Sequence, residues 1–489
     1  MGLPTLVVIL VYLVGINVAG ALLGRGQKDA KDYFLGNHAM PWWAVMASIV
    51  ATETSALTFL SVPGDATKSG FTFLQLAFGY LVGRIAVSFL LLPSYFRGDF
   101  PTAYALLEKR FGVGARRATS LIFMGTRILA ASVRLAVPAI PIALILKVPV
   151  SVAILILAGA TALYTFVGGI KAVIWIDLVQ VVIYLSGAAF AMWYLVHLVP
   201  GGLAGIFEAN AAAGHAVHLF DFTFTLAKPY TFWAGLLGGA FLAMASHGAD
   251  QLIVQRLLAC RGLRDAQKAL IGSGVLIIFQ FALFLLIGVG LAAFFTLHPT
   301  TFAKTDEIFP TFIVQNLPPL LSAYLIAGIF SAAMCSESSA LNSLASALSH
   351  DIIGPIFGKE RLEGKAGLWT GRVLTLVWTV VLAALAIAFS SSSQGQAGVQ
   401  IALSLASVTA GGLLGAFLIA LYVDRANQAD VLFAIGGATA FVFALWLGSK
   451  DFIPFPLAKQ IAWPWYSLIG SALALGLGFV ASRRHPATG

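Results

Sequence analysis

Long apolar segments recur along the whole chain, and they constrain its fold more than any other feature. A membrane-spanning helix needs about 20 consecutive, mainly apolar residues. Applying this length to the chain gives thirteen candidate spans: 3–23, 42–66, 71–95, 118–146, 150–167, 172–199, 230–257, 268–297, 317–349, 367–389, 397–422, 429–448 and 463–482. Only 10% of the 489 residues are charged, whereas a soluble domain carries about 25%. We therefore predict an all-α integral membrane protein.

The positions of the basic residues predict the orientation of these spans, because Lys and Arg concentrate in cytoplasmic loops. With the N-terminus outside and the C-terminus in the cytoplasm, twenty of the 29 Lys and Arg fall in inner loops and flanks, Arg256 among them, and six fall in outer ones. Arg84, Arg127 and Arg134 lie within spans. We expect a bacterial inner (plasma) membrane protein, whose net charge of +9 reflects this bias and not nucleic-acid binding.

The second span carries a polar segment near its middle, Ala51-Thr52-Glu53-Thr54-Ser55. Ser and Thr side chains compete for backbone groups and weaken a regular helix. Transporters place broken helices at mid-membrane, where the freed carbonyls coordinate a cation. We interpret this segment as such a break. A polar contact between helices is the alternative, and the intramembrane carboxylate of Glu53 argues against it.

The ninth span carries a second polar segment, at 331–343. Cys335, Ser338 and Ser339 are three or four residues apart, so they can lie on one face of a helix, with Ser336 beside it. Hydroxyl oxygens are hard ligands that suit a small, hard cation. Serine-rich faces also occur as plain helix contacts in membranes, so on spacing alone both interpretations stay open.

Further ionisable residues lie in or near the spans. Asp177 lies close to the inner end of the sixth span, where it either reaches water beside Lys171 or takes part in function. Arg134 lies in mid-span and needs an anionic partner. The candidates for that partner are Glu53, Glu337 and a carboxylate of the substrate.

Several motifs together resemble the sodium/solute symporter family, which includes bacterial proline, sialic acid and galactose symporters. The motifs are the 51–55 segment with Val62-Pro63-Gly64; Tyr164-Thr165 with Gly168-Gly169, Trp175, Asp177 and Gln180; Asp250-Gln251 with Gln255-Arg256; and Ala332, Ser336 and Leu341-Asn342. Each motif alone is weak, but their order and spacing over nearly the whole chain are specific. The resemblance implies a LeuT-type helical bundle, built as an inverted repeat of five plus five helices.

The same resemblance implies how a single transmembrane transporter domain is divided along the chain. The parts are an extra helix at 3–23, repeat one at about 42–199, repeat two at about 230–422, and extra helices at 429–448 and 463–482. Each repeat would begin with a discontinuous helix, and the second break is expected around Ala245–Gly248. A short polar turn is expected at 390–395.

The resemblance also implies one sodium site, between the first helix of the repeats and the eighth core helix. Its ligands would be the backbone oxygens of Ala51, Thr54 and Ala332 and the side chains of Cys335 and Ser336. Cys335 departs from the family, where a hydroxyl is usual, and a thiol is a soft, poor ligand for sodium. We therefore expect this site to rely on Ser336 and the nearby Glu53.

A second sodium site is implied by the resemblance to sialic acid symporters, so one or two sodium ions are expected. This site would use Asp177, Ser338, Ser339 and again Cys335. Glu53 matches the place where the proline symporter has an essential aspartate. Glu337 is unexpected for the family, and it is either a protonated helix contact, a helper of the sodium site or a proton-coupling group.

These observations predict a sodium-coupled symporter that imports a small organic solute, such as a carboxylate, an amino acid or a sugar, by alternating access. Sodium would bind first from outside and hold the second span against the ninth. The expected substrate-binding residues are Glu53, Ser55, Thr58, Phe73, Gln75 and Arg134. The alternative is a proton-coupled transporter that uses Glu53 or Glu337 as its coupling carboxylate.

Other classes of protein are less compatible with the sequence. No HExxH, GxSxG or His-rich cluster is present, so we predict a protein that is not an enzyme. No loop is long enough to hold a signalling domain. The expected partners are the solute, sodium and the lipid bilayer, and we expect no nucleic acid and no obligate protein partner.

Overall fold

The computed structural model describes residues 3–98, 100–215, 217–390 and 398–484. Every regular element in these ranges is a helix, apart from an isolated bridge between Met40 and Cys260. The prediction of an all-α protein is therefore confirmed for this part of the chain. The polar turn that we expect at 390–395 lies almost wholly outside the described residues.

The first half of the chain consists of helices joined by short loops. Their bounds are α1 (Leu3–Leu23), α2 (Ala30–Leu35), α3 (Trp42–Glu53), α4 (Ala56–Ser69), α5 (Leu74–Leu90), α6 (Leu92–Phe96), α7 (Tyr104–Phe111), α8 (Val113–Leu146), α9 (Val150–Leu198) and α10 (Gly202–Ala212). Leu10, Val11, Val14 and Val18 on α1 are all more than half exposed. Apolar side chains turned outward in this way suit a helix that faces lipid.

The second half begins with a helix that mixes α and π geometry. Ala234–Gly238 and Ala245–Ala249 are π-helical and flank α11 (Gly239–Met244). The remaining bounds are α12 (Gln251–Leu258), α13 (Leu263–Leu297), α14 (Ile308–Gln315), α15 (Pro319–Ala347), α16 (Gly354–Phe357), α17 (Gly364–Ser390), α18 (Gly398–Tyr422), α19 (Gln428–Ser449) and α20 (Trp465–Ser482). A further π-helical turn, Leu348–Ile353, joins α15 to α16.

The predicted count of thirteen spans is not reproduced by helix length and composition. Among the described residues, nine helices are long and apolar enough to cross a membrane, or ten when the bent pair α3–α4 counts as one span. One of the nine is α9, whose 49 residues would measure roughly 70 Å. It turns at Gly169, where φ is 50° and ψ is −152°, and so covers two predicted spans. Two shorter apolar helices, Ala234–Ala249 and Val408–Tyr422, account for the remaining difference.

Two helices are broken near the middle of the bundle, as we expected for the second and seventh spans. α3 and α4 meet at a bend of 62°. The hydroxyl of Ser55 accepts a bond from the Thr58 amide at 3.4 Å and so caps α4. The second break lies at Asp250, which is extended (φ −97°, ψ 124°) and whose carboxylate caps α12. It follows directly on the expected position at Ala245–Gly248.

The α5 helix packs against the π-helical segment Ala234–Gly238 so closely that their backbones are in contact. A Cβ added to Gly79 would lie 2.0 Å from the carbonyl oxygen of Gly235. Small residues allow such approaches between membrane helices. A Cβ added to Gly125 on α8 would meet nothing within 4 Å, so this glycine provides a matched control.

We therefore expect Gly79→Ala to destabilise the protein by about 1–3 kcal/mol, because the added methyl group forces two backbones apart. Gly125→Ala is expected to leave stability unchanged or slightly higher, since alanine favours the helix. Thermal unfolding of both variants in the same detergent measures the difference. Equal midpoints for the two variants would show that α5 and the broken helix are not tightly packed.

Candidate functional site

The break between α3 and α4 frees backbone carbonyl groups that a continuous helix would use. The amide of Ser55 bonds to the carbonyl of Glu53 at 3.0 Å, and not to that of Ala51 four residues earlier. The carbonyls of Ala51 and Thr52 instead face α15. Cys335 Sγ lies 3.0 Å from the oxygen of Ala51. The polar segment at 51–55 thus turns backbone oxygens toward the ninth predicted span.

The residues predicted for the first sodium site converge at this point. Cys335 Sγ lies 3.4 Å from the oxygen of Ala332, and Ser336 Oγ lies 3.4 Å from the oxygen of Thr52. Cys335 and Ser336 are both buried. Carbonyl and hydroxyl oxygens are the hard ligands that sodium requires, and the thiol is the one soft member of the set.

Thr54 takes part in the same region in two ways. As the residue that follows α3 it has φ −80° and ψ 82°, which is not helical, so its carbonyl lies outside the helical hydrogen-bond pattern. Its hydroxyl accepts a hydrogen bond from the Gln280 side chain on α13. This bond connects the break to a third helix.

The thiol of Cys335, the soft ligand of the set, allows a direct test of this sodium site. In Cys335→Ser, a hydroxyl oxygen replaces the thiol sulfur, so we expect the sodium concentration for half-maximal uptake to fall about three- to tenfold. Ser336→Ala removes a hard ligand and should raise that concentration by at least tenfold. Both values come from sodium titration of solute uptake in proteoliposomes. An unchanged sodium dependence in both variants would remove these side chains from the site.

Asp177 belongs to a buried polar cluster that joins four helices. Ser48 Oγ donates to Asp177 Oδ2 at 2.5 Å, and Arg256 Nη2 lies 3.3 Å from the same oxygen. Arg256 also donates to Ser48 Oγ at 2.9 Å and to Ser339 Oγ. Asp177 and Arg256 are fully buried. Arg256, which the sequence places in a flank of its span, is thus enclosed between helices at the last turn of α12.

The alternative partner considered for Asp177 is engaged elsewhere. Lys171 Nζ lies 2.5 Å from a carboxylate oxygen of Asp32 on α2. One oxygen of Asp177, Oδ1, has no hydrogen-bond partner among the described residues. The hydroxyl of Ser338 donates to the carbonyl of Cys335 at 3.1 Å. Of the residues predicted for the second sodium site, Ser339 is thus linked to Asp177 through Arg256, whereas Ser338 is bonded within its own helix.

A cavity of about 130 Å³ lies beside the break in α3–α4. Its walls come from α3, α4, α5, α8, α11, α13, α18 and the π-helical segment Ala245–Ala249. The lining residues include Glu53, Ser55, Thr58, Phe73, Arg127, Arg134, Asp250 and Phe281. Five of the six predicted substrate-binding residues therefore line one cavity.

Gln75 is the exception, because it is not among the residues that line this cavity. Its amide nitrogen donates to the carbonyls of Thr72 and Tyr230, at 3.0 and 3.2 Å. Its amide oxygen accepts from the backbone of Asp221 at 3.0 Å. Gln75 is therefore bonded to backbone groups just before α5 and in the loop that follows α10, and it does not line the cavity.

Glu53 is paired with a residue that the sequence did not point to. One of its carboxylate oxygens accepts a hydrogen bond from the guanidinium of Arg84 on α5. The other lies 3.6 Å from Nε2 of His247. Arg84 was one of three arginines within predicted spans, and its need for an anion was the only signal of this pair.

Arg134 has no carboxylate partner among the described residues. Its nearest hydrogen-bond contact is with the carbonyl of Thr52, at 3.5 Å, and its Nε has no partner. Neither Glu53 nor Glu337 forms an ion pair with it. Of the three candidate partners, the carboxylate of a substrate is the one that remains.

A second ion pair lines the cavity. Arg127 on α8 binds the carboxylate of Asp250 at the second helix break. After this break, polar side chains hold α12 against α15. Gln255 donates to Asn342 at 2.6 Å, and Gln251 donates to Ser346 at 3.4 Å.

Glu337 lies on α15 but outside the cavity lining. It is 5% exposed, and neither of its carboxylate oxygens has a hydrogen-bond partner among the described residues. Burying a carboxylate without a cation or a hydrogen bond is costly. The three roles considered for Glu337 remain predictions.

The chain is similar to proteins of known function along most of its length. The sodium:solute symporter family model matches residues 33–436. The sodium/sialic acid symporter NanT of Aliivibrio fischeri is 28% identical over 477 residues, which cover 96% of this chain and 91% of that protein. The sodium-coupled monocarboxylate transporter 1 of Homo sapiens is 27% identical over 461 residues, which cover 92% of this chain and 73% of that protein.

A solved structure shows the same fold. It is a Na⁺-coupled sialic acid symporter in a substrate-bound, outward-open state, 25% identical to this chain, with a TM-score of 0.88 over 99% of both chains. These matches confirm the LeuT-type fold, a membrane transporter and not an enzyme, and sodium as the coupling ion. The chain belongs to the sodium:solute symporter family, and it is a sodium-coupled symporter of a small organic solute.

Proposed function

We propose that this protein imports a small monocarboxylate together with sodium. The observation that carries this proposal is Arg134, a guanidinium that lines the cavity without a carboxylate partner among the described residues. An unpaired charge within a membrane protein is costly, so its position favours an anionic ligand. A guanidinium binds a carboxylate through two parallel hydrogen bonds. Other members of the family named above include transporters of sialic acid and of monocarboxylates.

The size of the cavity favours the smaller of these two kinds of acid. Its volume is about 130 Å³, which is close to the roughly 150 Å³ apolar cavity that holds benzene in an engineered protein. Phe73 and Phe281 form part of its wall. This volume supports a short carboxylic acid with an apolar body over a sugar acid as large as sialic acid.

The arrangement of the helices supports coupling at two places. The freed carbonyls of Ala51 and Thr52 meet Cys335 and Ser336, so a sodium ion there would hold the broken helix against α15. Asp177 Oδ1 offers a further anionic oxygen for a second ion. Two sodium ions moving with one monocarboxylate carry a net charge of one, and moving one charge through 100 mV provides about 2.3 kcal/mol, which drives accumulation of the acid.

The orientation and location that we propose rest on the basic residues. Placing the N-terminus outside leaves twenty of the 29 Lys and Arg on the cytoplasmic side, as expected for a plasma-membrane protein. The inner membrane of a bacterium is the location we propose. A single cysteine introduced near either terminus tests this orientation with a reagent that does not cross the membrane. In intact cells the cysteine near the N-terminus should be labelled, and the one near the C-terminus should not.

Uptake into proteoliposomes tests the function directly. An inward sodium gradient should drive accumulation of short labelled acids, such as pyruvate, lactate and propionate, and a proton gradient without sodium should not. Labelled sialic acid and a neutral sugar serve as comparisons. Accumulation of sialic acid in preference to the short acids would contradict the proposed substrate class, and uptake driven by protons alone would instead favour Glu337 as the coupling group.

A further inference from the structure

Glu53 and Arg84 form an ion pair of which only one partner reaches the cavity. Glu53 is a lining residue and its side chain is 22% exposed, whereas the Arg84 side chain is fully buried and lies behind it. Arg84 is held in place by a second bond, from Nη1 to Ser273 Oγ at 3.2 Å. A solute in the cavity can therefore contact the carboxylate of Glu53 but not the guanidinium of Arg84.

The charges around the cavity leave one positive charge uncompensated. Arg127 is paired with Asp250, and Glu53 is paired with Arg84. Arg134 lines the same cavity and has no anionic partner among the described residues. With His247 neutral, the side-chain charges around the cavity add up to one positive charge. This net charge matches a solute that carries a single negative charge. Without Arg84 the sum would be zero.

We propose that Arg84 sets the charge preference of the substrate site by neutralising Glu53 from behind. This inference rests on the proposed import of a monocarboxylate and adds the residue that makes the site selective for it. Arg84 does not touch the solute, so it is a positioning residue that acts through Glu53. The carboxylate of Glu53 then remains as a hydrogen-bond acceptor for a hydroxyl group of the solute without repelling its carboxylate.

The physical reason is the low dielectric of a cavity within the membrane. Opposite charges in contact cancel much of each other's field on a third charge, and a lone charge in such a surrounding acts strongly at several ångströms. If Arg84 lost its charge, the exposed carboxylate of Glu53 would compete with the solute for Arg134. An acid would then bind more weakly, whereas an uncharged analogue would be little affected.

The test compares an acid with its uncharged amide in four proteins. Sodium-dependent binding of lactate and lactamide is measured for the wild type, Arg84→Gln, the double variant Glu53→Gln/Arg84→Gln and the control Arg372→Gln. Arg372 lies on α17 against Phe166 and Trp369, away from the cavity. Thermal unfolding with and without sodium shows which proteins are folded.

We expect the ratio of acid to amide affinity to fall at least tenfold in Arg84→Gln and to return to within about threefold of the wild-type ratio in the double variant. The control should keep the wild-type ratio. An Arg84→Gln protein that keeps the wild-type preference for the acid, or a double variant as impaired as the single one, would overturn this inference alone. A wild-type protein without any preference for acids would overturn the proposed function as well.

If Arg84→Gln does not fold, the acid-to-amide affinity ratio of the double variant is the deciding measurement. A double variant that has lost the preference for the acid would also contradict the inference.

Discussion

Replacing Arg256 with methionine is expected to destabilise this protein by about 3–5 kcal/mol and to abolish transport. The guanidinium of Arg256 is fully buried and bonds to Asp177, Ser48 and Ser339. Its removal leaves a buried carboxylate without a cation, and breaking a buried pair from one side costs energy of this size. Because α12 carries Arg256 and α9 carries Asp177, the pair also holds α12, the part of the second broken helix that follows Asp250, against α9.

Removing both charges should restore much of this stability. Asp177→Asn/Arg256→Met buries no unpaired charge, and neutral replacements of buried ion pairs are often tolerated. Thermal unfolding of the two single variants and the double variant forms a cycle, whose coupling term measures the pair. Transport should stay impaired in the double variant if Asp177 also binds sodium. Additive effects of the two substitutions would show that these residues do not interact.

Replacing Arg134 with glutamine is expected to reduce the uptake of a short carboxylic acid by about 100-fold or more. The change removes the one lining cation that has no carboxylate partner among the described residues. A hydrogen bond to a charged group contributes about 1.5–3 kcal/mol, and a bidentate guanidinium supplies two of them. The folded protein should be no less stable, because it no longer contains that unpaired charge.

Lysine at position 134 provides the matched control. Arg134→Lys keeps the charge but loses the planar, two-pronged geometry, so we expect an intermediate loss of uptake. The apparent affinity for the acid and the maximal rate are measured together with the sodium dependence. A glutamine variant that transports the acid like the wild type would show that Arg134 does not bind the solute.

The interruption of the second span illustrates what the sequence predicts well. Hydroxylated residues around Glu53 compete locally for backbone groups, so the break depends on residues that are adjacent in the chain. The structure places it between Glu53 and Ala56 with a bend of 62°. The second break is less evident from composition, and the resemblance to the symporter family indicated its region.

The lining of the cavity shows where prediction by position fails. Ser55 and Phe73 reach the cavity, but Gln75, only two residues after Phe73, binds the backbone of the loop that follows α10. A side chain's direction depends on how its helix is rotated against its neighbours. Hydropathy does not report those rotations.

The sequence by itself determined the membrane class, the approximate course of the apolar segments and the polar segment at 51–55, because hydrophobic length and local competition for backbone groups are properties of neighbouring residues. Only the tertiary structure decided how the intramembrane charges pair. Glu53 bonds to a residue 31 positions away, and Asp177 to one 79 positions away. A charge within a membrane takes the partner that the packing of other helices brings to it, and that packing is a property of the whole bundle.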